Sequence, residues 1–143
     1  MKELSTDELL KILNSTRSKE NLDEYTAIIS KQPAYSNFAE YLKAFLQSHE
    51  ITDAALIKDS LIPRTYAYQI LNGTKNPGRS KVLALCIAAK MNYDETQRAL
   101  ALANVGKLYP RRREDSIIIF ALAQNLSVLQ TNEVLYEECG ITL

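Results

Sequence analysis

Residues Leu56 to Gly73 read LIKDSLIPRTYAYQILNG. Two short helical periods lie in this stretch, one closing near Ser60 and one running from Pro63 to Asn72, with only about three residues between them, the span of a helix-turn-helix. Packing two helices steeply across so short a turn requires apolar residues at fixed places. The stretch supplies them: Leu56 and Ile57 on the first helix, Ile62 in the turn, Ala67 and Ile70 on the second. Pro63 stands where a first-turn proline forfeits no hydrogen bond and has its φ already set for a helix. With Ile62, Ala67 and Ile70 directed inward, helical geometry turns Arg64, Thr65, Tyr68, Gln69 and Asn72 outward. Tyr66 falls between the two roles.

Outward from this stretch, apolar residues recur at helical spacing almost throughout, and no alternating runs bounded by turn residues interrupt them. The class is therefore all-α, with eight or nine helices expected. Ser5 and Glu8 form a capping box ahead of Leu9, Leu10, Ile12 and Leu13. A second helix is expected from Asn21 to Ser30, ended by Pro33. A third, from Ser36 to about Gln47, aligns Phe38, Tyr41, Leu42, Phe45 and Leu46 on one face. After the turn at Gly73 to Gly78 come Arg79 to Ala89, a helix opened by Asn92 and Glu95, Pro110 to Asn125, and Ser127 to Cys139.

The 143 residues, 46% of them hydrophobic, suffice for a packed core. Met1 to Asp7 has no basic stretch leading into an apolar block, and the longest apolar run, Ile117 to Ala123, is too short to span a membrane, so a cytoplasmic chain with no membrane partner is expected. Two cysteines, Cys86 and Cys139, are too few for a disulfide framework. Catalysis is not expected. The single histidine, His49, has no ligand partner at metal spacing, no glycine-rich phosphate loop or nucleophile elbow occurs, and neither metal nor cofactor is implied.

Net charge is zero, but the average conceals a pattern. Residues 1–50 carry six Lys/Arg and eight Asp/Glu, residues 51–113 carry eleven and four, and residues 114–143 carry none and five, giving −2, +7 and −5. A basic middle between acidic flanks is the footprint expected of a nucleic-acid face.

The stretch resembles the lambda repressor and Cro class, the XRE family, in its apolar pair, turn residue, polar opening of the next helix, inward Ala67 and Ile70, and the closing Asn72-Gly73-Thr74-Lys75-Asn76-Pro77. The resemblance covers residues 36–106. It implies a five-helix bundle, here with extra helices at both ends: an N-terminal extension over 1–35 and a C-terminal one over 107–143. It also implies a transcriptional regulator that binds double-stranded DNA as a homodimer, its second helix in the major groove. Arg64, Thr65, Tyr68 and Gln69 would then contact bases, and Asn72, Lys75, Arg79 and Lys81 phosphates. One departure stands out: where the family has Gly in the turn, this chain has Leu61, so the turn is either strained there or built differently.

Two further expectations concern the tail. Arg111, Arg112 and Arg113, read as a helix's first turn, oppose its macrodipole and call for anions, either DNA phosphates or Glu133, Glu137 and Glu138. The apolar residues from Ile117 to Leu135 exceed what two helices bury on each other, which points to cover by the bundle and to a dimer contact. The rival reading of the whole chain is a protein-interaction module, an adaptor or antitoxin, on the same bundle.

Overall fold

The computed structural model describes residues 4–32 and 34–143. Met1 to Glu3, and Pro33, expected to end the second helix, lie outside the described residues. Among the described residues the chain is all-helical, with nine helices and no strand. None is long and apolar enough to cross a membrane. The chain divides into two compact units, residues 1–35 and 36–143.

The first unit is a hairpin of α1 (Thr6–Asn14) and α2 (Lys19–Ser30). Ser5 and Glu8 form the capping box, each side chain accepting from the other's backbone amide. The second helix starts two residues earlier than the apolar pattern alone suggests, because the Ser18 hydroxyl caps it by accepting from the Asn21 amide.

The second unit holds α3 (Phe38–Ser48), α4 (Asp53–Ser60), α5 (Arg64–Leu71), α6 (Arg79–Ala88), α7 (Tyr93–Leu102), α8 (Arg113–Ala123) and α9 (Val128–Cys139). At its centre is α6, in which every residue from Val82 to Ala88 is buried. A helix apolar all round needs neighbours on all sides. Here α4, α7 and α9 pack on it, α3 lies against α5 and α7, and α8 joins α7 to α9. The stripe Phe38, Tyr41, Leu42, Phe45 and Leu46 is buried as its spacing requires. Cys86 lies in this core, where burial pushes its thiol up to about 12, so it serves as a small apolar side chain.

Several helices close without glycine. Glu50, Lys90, Asn104 and Asn125 all have positive φ. In each case the following apolar residue, Ile51, Met91, Val105 or Leu126, returns its amide to a carbonyl five residues back. This closure satisfies an orphan carbonyl and brings an apolar side chain toward the core, which offsets the strain.

The tail belongs to the second unit. Ile118, Ala121, Leu122, Val128, Thr131 and Leu135 are buried in it, while Phe120, Leu129 and Tyr136 stay exposed. The helix expected from Pro110 begins at Arg113. Arg112 takes the extended N-cap position and its amide bonds the Tyr109 carbonyl, so Arg111 and Arg112 precede the helix. Its first turn then holds Glu114 and Asp115, the charges a helix N-terminus favours. Arg113 reaches the tail's own Glu138 at 2.7 Å, an exposed ion pair of at most about 1 kcal/mol.

Candidate nucleic-acid interface

Three residues, Leu61, Ile62 and Pro63, join α4 to α5, and the two helices pack on each other. Leu56, Ile57, Ile62, Ala67 and Ile70 are buried as the spacing demands, with Leu71 added. Leu61 is left-handed, at φ 62°, and 54% exposed. The turn is therefore built on a leucine where only glycine escapes the clash of Cβ with the next carbonyl, a cost of about 1 to 2 kcal/mol. Ser60, which the sequence does not single out, holds this turn from inside. It is buried, donates to the Ile57 carbonyl at 2.8 Å and accepts from the Ile62 amide at 3.2 Å.

Pro63 is the N-cap of α5 and not its first helical residue, so the helix opens at Arg64. Arg64 and Thr65 are exposed, while Tyr66, Tyr68 and Gln69 are half-buried. The Arg64 guanidinium stands 5.6 Å from the centre of the Tyr68 ring, a cation–π contact that orients both side chains. Beside them lies an open groove of about 490 Å³, walled by Ala54, Ile57, Leu61, Ile62 and Pro63 and edged by Lys58, Arg64 and Tyr68. Lys58 is a residue the sequence reading missed, since it sits on the helix before the turn. Its only signal was its share in the +7 count.

Asn72 is exposed, and its Oδ1 accepts from the Thr74 amide at 2.9 Å, which shapes the turn. The Lys75 amide donates to the Gln69 carbonyl at 3.1 Å, tying that lysine's backbone to the end of α5. Lys75 is exposed and Lys81 half-buried.

Arg79 has a different place from the other expected phosphate contacts. Its guanidinium grips Asp115 through both terminal nitrogens, at 3.0 and 2.8 Å, and also donates to the Gly106 and Lys107 carbonyls, each at 3.0 Å. Four of its five N–H donors are thereby engaged within the protein. Asp115, 1% exposed, completes its set by accepting from the Tyr109 amide at 2.9 Å. Burial pushes its carboxyl up, but the Arg79 and Tyr109 hydrogen bonds and the charges of Arg79 and Arg112 outweigh burial and hold it below the usual carboxylate range. Gln97 fixes the same linker by bonding both the amide and the carbonyl of Leu108, at 2.6 and 3.0 Å.

Helix ends distinguish this region electrostatically. Among the nine helices, only α5 and α6 have neither a side-chain N-cap hydrogen bond nor an acidic residue in the first turn. Their first amides are left for solvent or an anion, at the positive end of the dipole.

No group of three His, Cys, Asp or Glu that could hold a metal occurs among the described residues. His49 stacks on Phe45, ring centroids 3.9 Å apart, with Nδ1 2.9 Å from the Phe45 carbonyl oxygen. No family model, curated protein or solved structure matches the chain.

Proposed function

We propose that residues 36–143 form a sequence-specific DNA-binding regulator in which α3 to α7 make up a lambda-repressor-like bundle, α4 and α5 are its helix-turn-helix, and α5 enters the major groove. One observation carries this reading. The two helices whose N-termini have neither a side-chain cap nor an acidic first turn are the pair that flank the turn bearing Lys75, and they bring Arg64 and Lys81 with them. Phosphates are the anions such ends bind best. Arg64, Thr65, Tyr68 and Gln69 take the base-contacting roles. Asn72, Lys75 and Lys81 take the phosphates, and Arg79 holds the frame behind them through Asp115.

The test separates base reading from charge. Sequences selected from a random duplex pool give the preferred site, and binding to it is measured by fluorescence anisotropy against salt. Arg64→Ala and Gln69→Ala are expected to cost about 1 to 3 kcal/mol each and to relax preference at one base pair. Lys75→Ala and Lys81→Ala are expected to weaken all sequences alike and to reduce the slope of log K against log salt by about 0.9 each. No salt-dependent binding to any duplex would overturn the proposal and favour a protein partner for the apolar groove beside Arg64 and Tyr68.

A further inference from the structure

The linker from α7 to α8 lies at the end of the second unit where α6 begins. α6 and α7 are joined by residues 89–92 and pack on each other, so they run antiparallel and the chain leaves α7 beside the start of α6. There the linker is held by its backbone. Arg79, the first residue of α6, donates to the Gly106 and Lys107 carbonyls, Gln97 bonds both backbone groups of Leu108, and the Tyr109 amide donates to Asp115. Leu108 is buried, while Lys107, Tyr109, Arg111 and Arg112 are exposed. A loop fixed in this way presents its outer side chains from a rigid base.

The nearby acids are mostly engaged already. Asp115 is taken by Arg79 and Glu138 by Arg113, and Lys107, Arg111 and Arg112 form no ion pair among the described residues. Arg112 acts on Asp115 through its charge alone. The turn after α5 adds Lys75, and the first turn of α6, which has no side-chain cap and no acid, adds Lys81. Against these cations the adjoining elements set two unpaired carboxylates, half-buried Glu114 in the first turn of α8 and exposed Glu137 in the last turn of α9. The excess is positive, and like charges held on a rigid base repel one another unless a polyanion meets them.

We propose that this linker is a second backbone clamp for duplex DNA, with Lys107, Arg111 and Arg112 meeting phosphates next to those held by Lys75 and Lys81. Tyr109, 53% exposed, adds a hydroxyl donor of the kind that phosphate oxygens accept. Arg79 is then a positioning residue: it touches no phosphate and fixes the loop whose cations do. The inference rests on the nucleic-acid reading and extends its contacts from the recognition helix and the following turn to the start of the C-terminal segment. The linker reads no base.

Fluorescence anisotropy of the full chain on the selected duplex, titrated against salt, tests it. Lys107→Gln, Arg111→Gln and Arg112→Gln are each expected to reduce the slope of log K against log salt by about 0.9, and the double variant of Lys107 and Arg111 by about 1.8, with base preference unchanged. Arg111→Lys, which keeps the charge, should bind within about 3-fold of the parent. Urea midpoints of Lys107→Gln and Arg111→Gln should match the parent, since neither side chain has a partner in the fold. Replacing single phosphates by neutral methylphosphonates locates the contacts. Some positions should weaken the parent and leave the double variant indifferent, and they should adjoin those to which Lys75→Ala is indifferent. A double variant with the parent's salt slope, while Lys75→Ala and Lys81→Ala still weaken binding, would overturn the clamp and leave the nucleic-acid reading standing. A flattened slope with no such phosphate positions would mean attraction at a distance and would overturn the contact. A chain that binds no duplex at all would overturn both.

Discussion

Leu61 carries the turn between α4 and α5 in a backbone region that leucine avoids, and its side chain is largely exposed. Glycine there removes a strain of about 1 to 2 kcal/mol but adds unfolded-chain entropy worth about 0.5 to 1 kcal/mol. Leu61→Gly is therefore expected to stabilise the protein by about 0.5 to 1 kcal/mol, read as a raised urea midpoint with unchanged slope. Leu61→Val, which keeps an apolar side chain but branches it at Cβ, should be destabilising. Sequence alone marked the position by the absence of an expected glycine. It left open whether the turn is strained or rebuilt, because that depends on whether Ser60 and Ile62 hold the backbone in place, and those contacts exist only in the folded chain.

At the scale of elements, the Arg79–Asp115 pair ties the start of α6 to the first turn of α8. Removing one partner of a buried ion pair leaves the other charge uncompensated, so Asp115→Asn is expected to cost about 2 to 4 kcal/mol in chemical unfolding. The pH dependence follows from the direction of the shift. Asp115 has its carboxyl depressed in the folded state, so its stabilisation is present above the ordinary aspartate range near pH 4 and is lost as pH falls through the folded value. The parent is expected to lose stability more steeply than Asp115→Asn on acidification below about pH 4. Equal slopes in urea titrations at successive pH values would show that Asp115 is not the group involved. Arg113–Glu138, with both side chains more than half exposed, should change little when broken by Glu138→Gln.

For the whole molecule, residues 107–143 are part of the second unit's core and not an appendage to it. α9 packs on α6 and α8 on α7, and the linker between α7 and α8 is held by Arg79 and Gln97. Truncation after Gly106 is therefore expected to lose more than about 3 kcal/mol, since it strips Asp115 from Arg79 and uncovers apolar surface of α6. In a thermal scan the truncated chain should melt well below the parent or show no cooperative transition. A truncated chain that melted like the parent would mean that the tail only decorates the bundle. The acidic α9 rests on α6 and α8, whereas α5 rests on α3 and α4.

The helices, their order and most of their inward residues were legible from the chain, because period, caps and turn residues are local properties. The stripe of α3, the inward set Leu56, Ile57, Ile62, Ala67 and Ile70, and the capping boxes at Ser5, Asn92 and Ser127 all follow from residues within a turn or two of one another. Closures at Glu50 and Lys90 were not legible, since no local rule sends those residues to positive φ. The neighbouring apolar residue is drawn there by a core assembled from distant helices. Tertiary structure alone decided the place of Arg79. Its sequence neighbours Lys75 and Lys81 are exposed or half-exposed cations, and by pattern it matches them. Its partner lies 36 residues on. A bidentate carboxylate with two carbonyls outweighs solvent for a guanidinium only when folding brings all three acceptors within reach of one side chain.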